Sequence, residues 1–165
     1  MASQDEEALV GRLMDVATIK KFMLAGNATL TLRSPKTGTR FTYKVRRGTD
    51  FGGKPKDFWF CSLLTGQDND SDYQYFGHFF IGRNFRGPEL IYQHGRKSRI
   101  SQDALSMKAW GYFAEIFRDH DPSWQADRLA TIEVWHEGRC GRCNRKLTVP
   151  ESVSSGFGPE CINHV

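Results

Sequence analysis

Phe58-Trp59-Phe60-Cys61-Ser62-Leu63-Leu64, then Asp68-Asn69-Asp70-Ser71-Asp72, then Tyr73-Gln74-Tyr75-Phe76-Gly77-His78-Phe79-Phe80-Ile81 is the stretch that decides the fold class. Aromatic and β-branched residues suit a pleated, half-buried surface. Two such runs on either side of an Asp/Asn/Ser turn predict paired strands. The reading extends in both directions. Upstream, Ala28 to Arg33 and Arg40 to Arg47 flank Ser34-Pro35-Lys36-Thr37-Gly38, a second hairpin, and Gly48 to Lys56 is a loop by composition. Downstream, a Gly/Arg-rich turn leads to Leu90-Ile91-Tyr92. Five short, closely spaced strands predict an antiparallel meander.

Helical spacing brackets this meander. Ser3 with Glu6 is a capping-box pattern. Leu9, Val10, Leu13, Met14 and Ala17 follow near helical spacing; Ile19, Phe22 and Met23 continue that helix or begin another, and Gly26-Asn27 stops it. Ser101 and Asp103 open the clearest helix, Gln102 to Arg118, whose apolar face is Ala109, Trp110, Phe113, Ile116 and Phe117. Asp121-Pro122 ends it, and Leu129 to Trp135 reads as a last strand. The expected class is α+β, a five- or six-stranded antiparallel meander packed against helices. The expected division is a core domain over 1–128 and a C-terminal zinc-binding module over 129–165 packed on it.

The chain has 165 residues, 39% of them hydrophobic, and 23 Lys plus Arg against 19 Asp plus Glu, a net charge of +4. That length can bury a core without staples. No apolar run approaches the ~20 residues of a membrane span. Met1 to Glu7 is acidic and lacks the basic region of a signal peptide. A reducing, cytoplasmic setting is the expectation, and it bears on the four cysteines, three of which (Cys140, Cys143 and Cys161) crowd the C-terminal end. In a reducing compartment such clustering favours metal over disulfides.

Cys140-Gly-Arg-Cys143 is knuckle spacing: two intervening residues let both sulfurs turn to one point about 2.3 Å from a metal. Asn144 follows, one of the few non-glycine residues that accept the left-handed region. Cys161 stands behind Gly156-Phe157-Gly158-Pro159, where glycines let the chain bend back and Pro pre-sets a short helical turn. Three thiolates and one imidazole make a tetrahedral Zn2+ site. The spacing leaves two candidates for the imidazole: His136, before the knuckle, and His164, three residues after Cys161. Four protein ligands would close the site and make the zinc structural.

The run from Cys140-Gly-Arg-Cys143 through Leu147-Thr148, Pro150 and Ser152 to Gly156-Phe-Gly158-Pro159-Glu-Cys161 resembles a zinc-binding module found in many uncharacterised phage and plasmid proteins. The family pattern is a histidine, the knuckle, Leu-Thr with Pro and Ser, and Gly-x-Gly-Pro-x-Cys. It covers about residues 135–161. The resemblance implies His136, Cys140, Cys143 and Cys161 as the ligands. Asn144 is a departure, since the family commonly has Gly there. Ala25-Gly-Asn-Ala-Thr and Gly38-Thr-Arg-Phe-Thr-Tyr also resemble the N-terminal part of such proteins. The resemblance carries a site and a mobile-element habitat, and no reaction.

Basic residues mark a candidate nucleic-acid surface: Arg96, Lys97 and Arg99 after the meander, and Arg139, Arg142, Arg145 and Lys146 around the knuckle. Further cations line an earlier edge, with Phe80, Phe85 and Tyr92 interleaved. Cations with exposed aromatics suit a phosphate backbone with stacked bases. The knuckle arginines also have a plain role, since three thiolates around Zn2+ leave a net −1 to neutralise. Asp68-Asn-Asp70-Ser-Asp72 starts like a calcium loop, but Tyr73 and Phe79 stand where Gly and Glu are required, so a solvated turn is expected. No nucleophile elbow, phosphate-cradling Gly loop or His-Glu-x-x-His occurs. Cys61, inside an aromatic strand, reads as a small core hydrophobe. The expectation is a non-catalytic accessory protein of a mobile element that binds nucleic acid, with no small-molecule substrate. The alternative is an inhibitor or adaptor directed at a host defence protein complex.

Overall fold

The computed structural model describes residues 11–68 and 71–165. Among the described residues, seven strands form one antiparallel sheet: β1 (Arg12–Leu13), β2 (Asn27–Arg33), β3 (Arg40–Thr49), β4 (Pro55–Leu64), β5 (Tyr73–Asn84), β6 (Gly87–His94) and β7 (Glu133–His136). The helices are α1 (Val16–Met23), α2 (Leu105–Ala114), α3 (Pro122–Leu129) and α4 (Pro150–Ser155), with 3-10 turns at Glu115–Phe117 and Cys161–His164. The class is α+β. Among the described residues, no helix is long and apolar enough to cross a membrane.

The strand order is β1-β7-β2-β3-β4-β5-β6. From β2 to β6 the chain meanders, and the register follows the alternation of the sequence. Tyr43 and Val45 lie opposite Leu63 and Cys61, and all four are buried. A bulge between Cys61 and Ser62 lets Phe76 join Phe79 on the inner face. Across that face sits α2. The Trp110 ring stands 4.4 Å from the Tyr43 ring and packs edge-on to Phe76, and the Tyr43 hydroxyl donates to Ser106 O at 2.7 Å.

Several expected boundaries shift for physical reasons. The helix expected over Leu9 to Ala17 falls partly outside the described residues. Within them, Arg12 and Leu13 pair with Trp135 and Val134 as a strand, and Met14 is exposed. The helix starts instead at Val16, capped by Asp15, whose carboxylate accepts from Thr18 N at 2.8 Å. Ser101 does not cap α2: its hydroxyl accepts from Asp103 N in a turn, and the helix begins at Leu105. Asp121-Pro122 starts a helix as well as ending one, because Pro at the first helical position gives up no needed N–H. Leu129 is therefore helical, and the last strand is confined to Glu133–His136.

That strand carries the main topological finding. β7 lies between β1 and β2, with Leu30 opposite His136 and Arg33 opposite Glu133. The first strand of the C-terminal segment is thus an interior strand of the sheet. Arg33 and Glu133 form an ion pair at this seam.

Candidate metal centre

The chain leaves β7 and turns at Gly138 (φ 78) into a small two-armed loop. Arg139 and Lys146 bridge its arms, Cys140 N donates to Arg145 O at 2.8 Å, and Asn144 N donates back to Cys140 O at 2.9 Å. Closing this loop needs a left-handed residue, and Asn144 supplies it at φ 64, alone among the described non-glycine residues. Helix α4 then ends on Gly156 (φ 81), and the last turn returns Cys161 to the knuckle.

The knuckle is set into the core. Asn27 N donates to Gly141 O, Gly141 N donates to Gly156 O, and Asn27 Nδ2 donates to Arg142 O. Both glycines lie on the Phe22 ring: a Cβ at Gly141 would stand 2.7 Å from it, and one at Gly156 2.5 Å. Phe22 also packs against His136 and Phe157. Helix α1 therefore serves as the floor of the site.

The sulfurs of Cys140, Cys143 and Cys161 all lie within 4.8 Å of one another. Three sulfurs bound to one tetrahedral centre at ~2.3 Å stand roughly 3.8 Å apart, so the trio suits a single ion. All three are free thiols. Burial pushes the Cys140 thiol up, but the backbone N–H groups of Cys143, Gly158 and Arg142 and the Cys143 side chain outweigh it and bring it down to about 7. Donors from both the knuckle and the returning segment thus converge on one sulfur and favour its thiolate. The Cys161 thiol is raised, first by burial and then by the neighbouring thiols, against the Arg142 guanidinium that donates to its sulfur at 3.5 Å. The fourth cysteine, Cys61, is fully buried in β4, far up from its ordinary thiol range through burial, and belongs to the core.

His136 lies outside the thiol group. Its ring is buried, and burial lowers its pKa. Nδ1 accepts from Gly138 N at 2.9 Å, and Nε2 faces Val153 O. An N–H can only donate and a carbonyl can only accept, so the proton sits on Nε2 and the lone pair on Nδ1. His164, in the last turn, is exposed and lines a groove together with Arg142.

The basic residues fall into two groups. Arg139, Arg142, Arg145 and Lys146 surround the knuckle; Arg96, Lys97 and Arg99 follow β6 at the opposite side of the sheet. Five strand spacings separate β7 from β6, roughly 24 Å. Arg142 instead joins Arg46 and Arg47, two of the cations on the earlier edge, and Lys20 and Lys21, which the sequence did not single out. A groove of about 980 Å³ runs between α1, the end of β3 and the knuckle, and Lys20, Lys21, Arg46, Arg47 and Arg142 line it. Among the described residues, no Asp or Glu side chain lines it. The helical position of Lys20 and Lys21 and the strand position of Arg46 and Arg47 gave no hint of one another at sequence level. The pairing of Asn27 with Arg46 in β2–β3, and of Asn27 with the knuckle, brings them together.

No curated protein and no solved structure matches the chain. The model of a family of unknown function, DUF6011, matches residues 134–165, from β7 through the knuckle to the last turn, and it is to this family that the metal-centre segment is similar.

Proposed function

We propose that the protein is a small zinc-bearing accessory protein, of the kind carried by phages and other mobile elements, that binds nucleic acid through the groove beside its knuckle. Zinc is the ion whose chemistry suits three thiols and an imidazole. Cys140, Cys143 and Cys161 supply the sulfurs. For the fourth ligand we take His136: Val153 O holds its proton on Nε2, as the outer partner of a ligating histidine does, and Nδ1, which accepts from Gly138 N in this structure, would exchange that hydrogen bond for the ion. Four protein ligands leave no open position, so the ion's role is to hold the last turn to the knuckle.

The observation that carries the nucleic-acid reading is the groove itself. Five cations converge on it from three elements remote in sequence, and among the described residues no carboxylate side chain lines it. Of the five, Arg47 is held by Asp57 and Lys56 O. Arg142 faces the thiol group on one side and the groove on the other. A concave surface with an excess of positive side chains attracts a polyanion.

The test is fluorescence anisotropy with labelled DNA and RNA over a salt series. Affinity should fall steeply with salt, and Lys20→Glu/Lys21→Glu should weaken binding and flatten the salt slope by about 2. Failure to bind either nucleic acid at low salt would overturn the reading. Recovery of a host protein complex that survives nuclease treatment, with no nucleic acid bound, would put an adaptor of that complex in its place.

A further inference from the structure

We infer that the outer face of the sheet is a stacking platform for single-stranded nucleic acid, with unpaired bases lying on Phe60, Tyr75 and His78 and the backbone held between Arg46 on one side and Arg96 and Lys97 on the other. This rests on the nucleic-acid reading above and adds to it the strandedness of the ligand and a second surface.

The argument begins with alternation. Tyr43, Val45, Trp59, Cys61 and Phe79 point into the core, so their neighbours along the strands point the other way. On a one-sided antiparallel sheet that other face is ordinarily polar. Here β4 presents Phe58 and Phe60, and β5 presents Tyr75, His78 and Phe80. Phe60 is 44% exposed and Tyr75 36%.

The rings form a continuous strip. Phe58 stacks on His78 at 4.5 Å with the planes 21° apart; Phe58 and Phe60 are 4.9 Å apart, and Phe60 and Tyr75 6.2 Å. Tyr75 is held from below: a Cβ on Gly95 would lie 2.8 Å from its ring, so glycine is what lets the ring settle there. Its hydroxyl meets His78 Nδ1 at 3.3 Å. Rings fixed by strands need little ordering when a base arrives.

Charge then names the occupant. A hollow of about 490 Å³ beside Phe60 and Tyr75 is lined by Lys44 and Arg46. A second, of about 290 Å³ beside Tyr75 and His78, is lined by Arg96 and Lys97. Among the described residues, neither has an Asp or Glu in its lining. Arg46 also lines the groove at the knuckle, so the cationic track is continuous from one surface to the other. Alternating cations and aromatic faces suit a chain of phosphates and bases. A duplex keeps its base faces stacked inside itself and offers only its backbone, so the rings select unpaired strands.

The experiment uses the full, zinc-loaded chain with a labelled oligothymidylate, a labelled oligouridylate and a duplex of equal length. The single strands should bind at least ten-fold more tightly than the duplex. Phe60→Ala/Tyr75→Ala should weaken single-strand binding by about ten-fold per ring and leave duplex binding unchanged. Phe60→Tyr should retain the wild-type affinity, and thermal melting should report both variants folded, since both side chains are at the surface. If both nucleic acids bind equally, depend on Lys20 and Lys21, and ignore the ring variant, the platform is refuted while the groove stands. If neither binds, both readings fall. If the ring variant keeps its nucleic acid and loses a protein partner instead, the face is a protein-docking surface and the inference is overturned.

Discussion

Asn27 donates from its side chain to the carbonyl of Arg142 at 2.9 Å, across 115 residues of chain, and its backbone N–H donates to the neighbouring Gly141 carbonyl at 2.8 Å. The first residue of β2 therefore grips the tip of the knuckle from both its backbone and its side chain. The knuckle is anchored at one end by the sheet and at the other by the returning segment, through Gly156 O, the Phe157 ring on Phe22, and Cys161.

Metal removal should act unevenly for that reason. Chelation should release hydrogen-exchange protection from about residue 138 onward, because closing this segment depends on the ion. Strands β3 to β6 should keep theirs, since Tyr43, Phe76, Phe79 and Trp110 form a core without the centre. Metal analysis of protein purified without chelator should find one zinc per chain. Loss of protection across the whole sheet, or no zinc, would count against this account.

Replacing zinc with cobalt gives the fourth ligand an optical readout. His136→Asn should shift the d–d bands and weaken metal binding by at least ten-fold, in the range that loss of a ligand or its outer partner produces. His164→Asn should leave the spectrum as it was. The reverse pattern would assign the imidazole to His164.

Two glycine substitutions should move stability in opposite directions. Gly156→Ala puts a Cβ 2.5 Å from the Phe22 ring at φ 81, where an L side chain is already strained. It should cost at least about 2 kcal/mol in urea unfolding. Gly111→Ala, in α2 with nothing within 4 Å of the new methyl, should gain about 0.5–1 kcal/mol through helix propensity.

Acid should loosen the join between β6 and the turn after α2. The Arg118 guanidinium and the Asp119 N–H both donate to Glu89, and they hold its carboxyl below the usual range. A depressed carboxylate contributes stability that is full above its ordinary pKa, near 4.5, and is lost as pH falls from there through the folded value. Glu89→Gln should lower the melting temperature at pH 7 and flatten its decline below pH 4.5. Parallel curves for the two proteins would contradict this.

Much of this architecture was legible because its signals are local. The five meander strands announced themselves by alternation and by the turn residues between them. The knuckle was legible in Cys140-x2-Cys143, and the left-handed turn at Asn144 followed from steric allowance alone. What escaped was set at long range. Leu13 sits at helical spacing, yet pairing with Val134 makes it a strand residue. Pro122 reads as a stop by local rule, and the helix it starts is held by the burial of Leu129 at its far end. The groove escaped because Lys20, Arg46 and Arg142 share no periodicity. The convergence of three N–H groups on Cys140 escaped because a returning segment supplies one of them.

The seat of β7 between β1 and β2 has a consequence for how the protein is made. While the chain is being synthesised, one edge of β2 stays unpaired and β1 has no neighbour at all until Glu133–His136 emerges from the ribosome. The meander can zip in order as it appears, but the sheet is finished only once β7, the last of the seven described strands in chain order, has been translated. A nascent chain stalled before that point would present β2 as an open edge, a template for pairing with other chains.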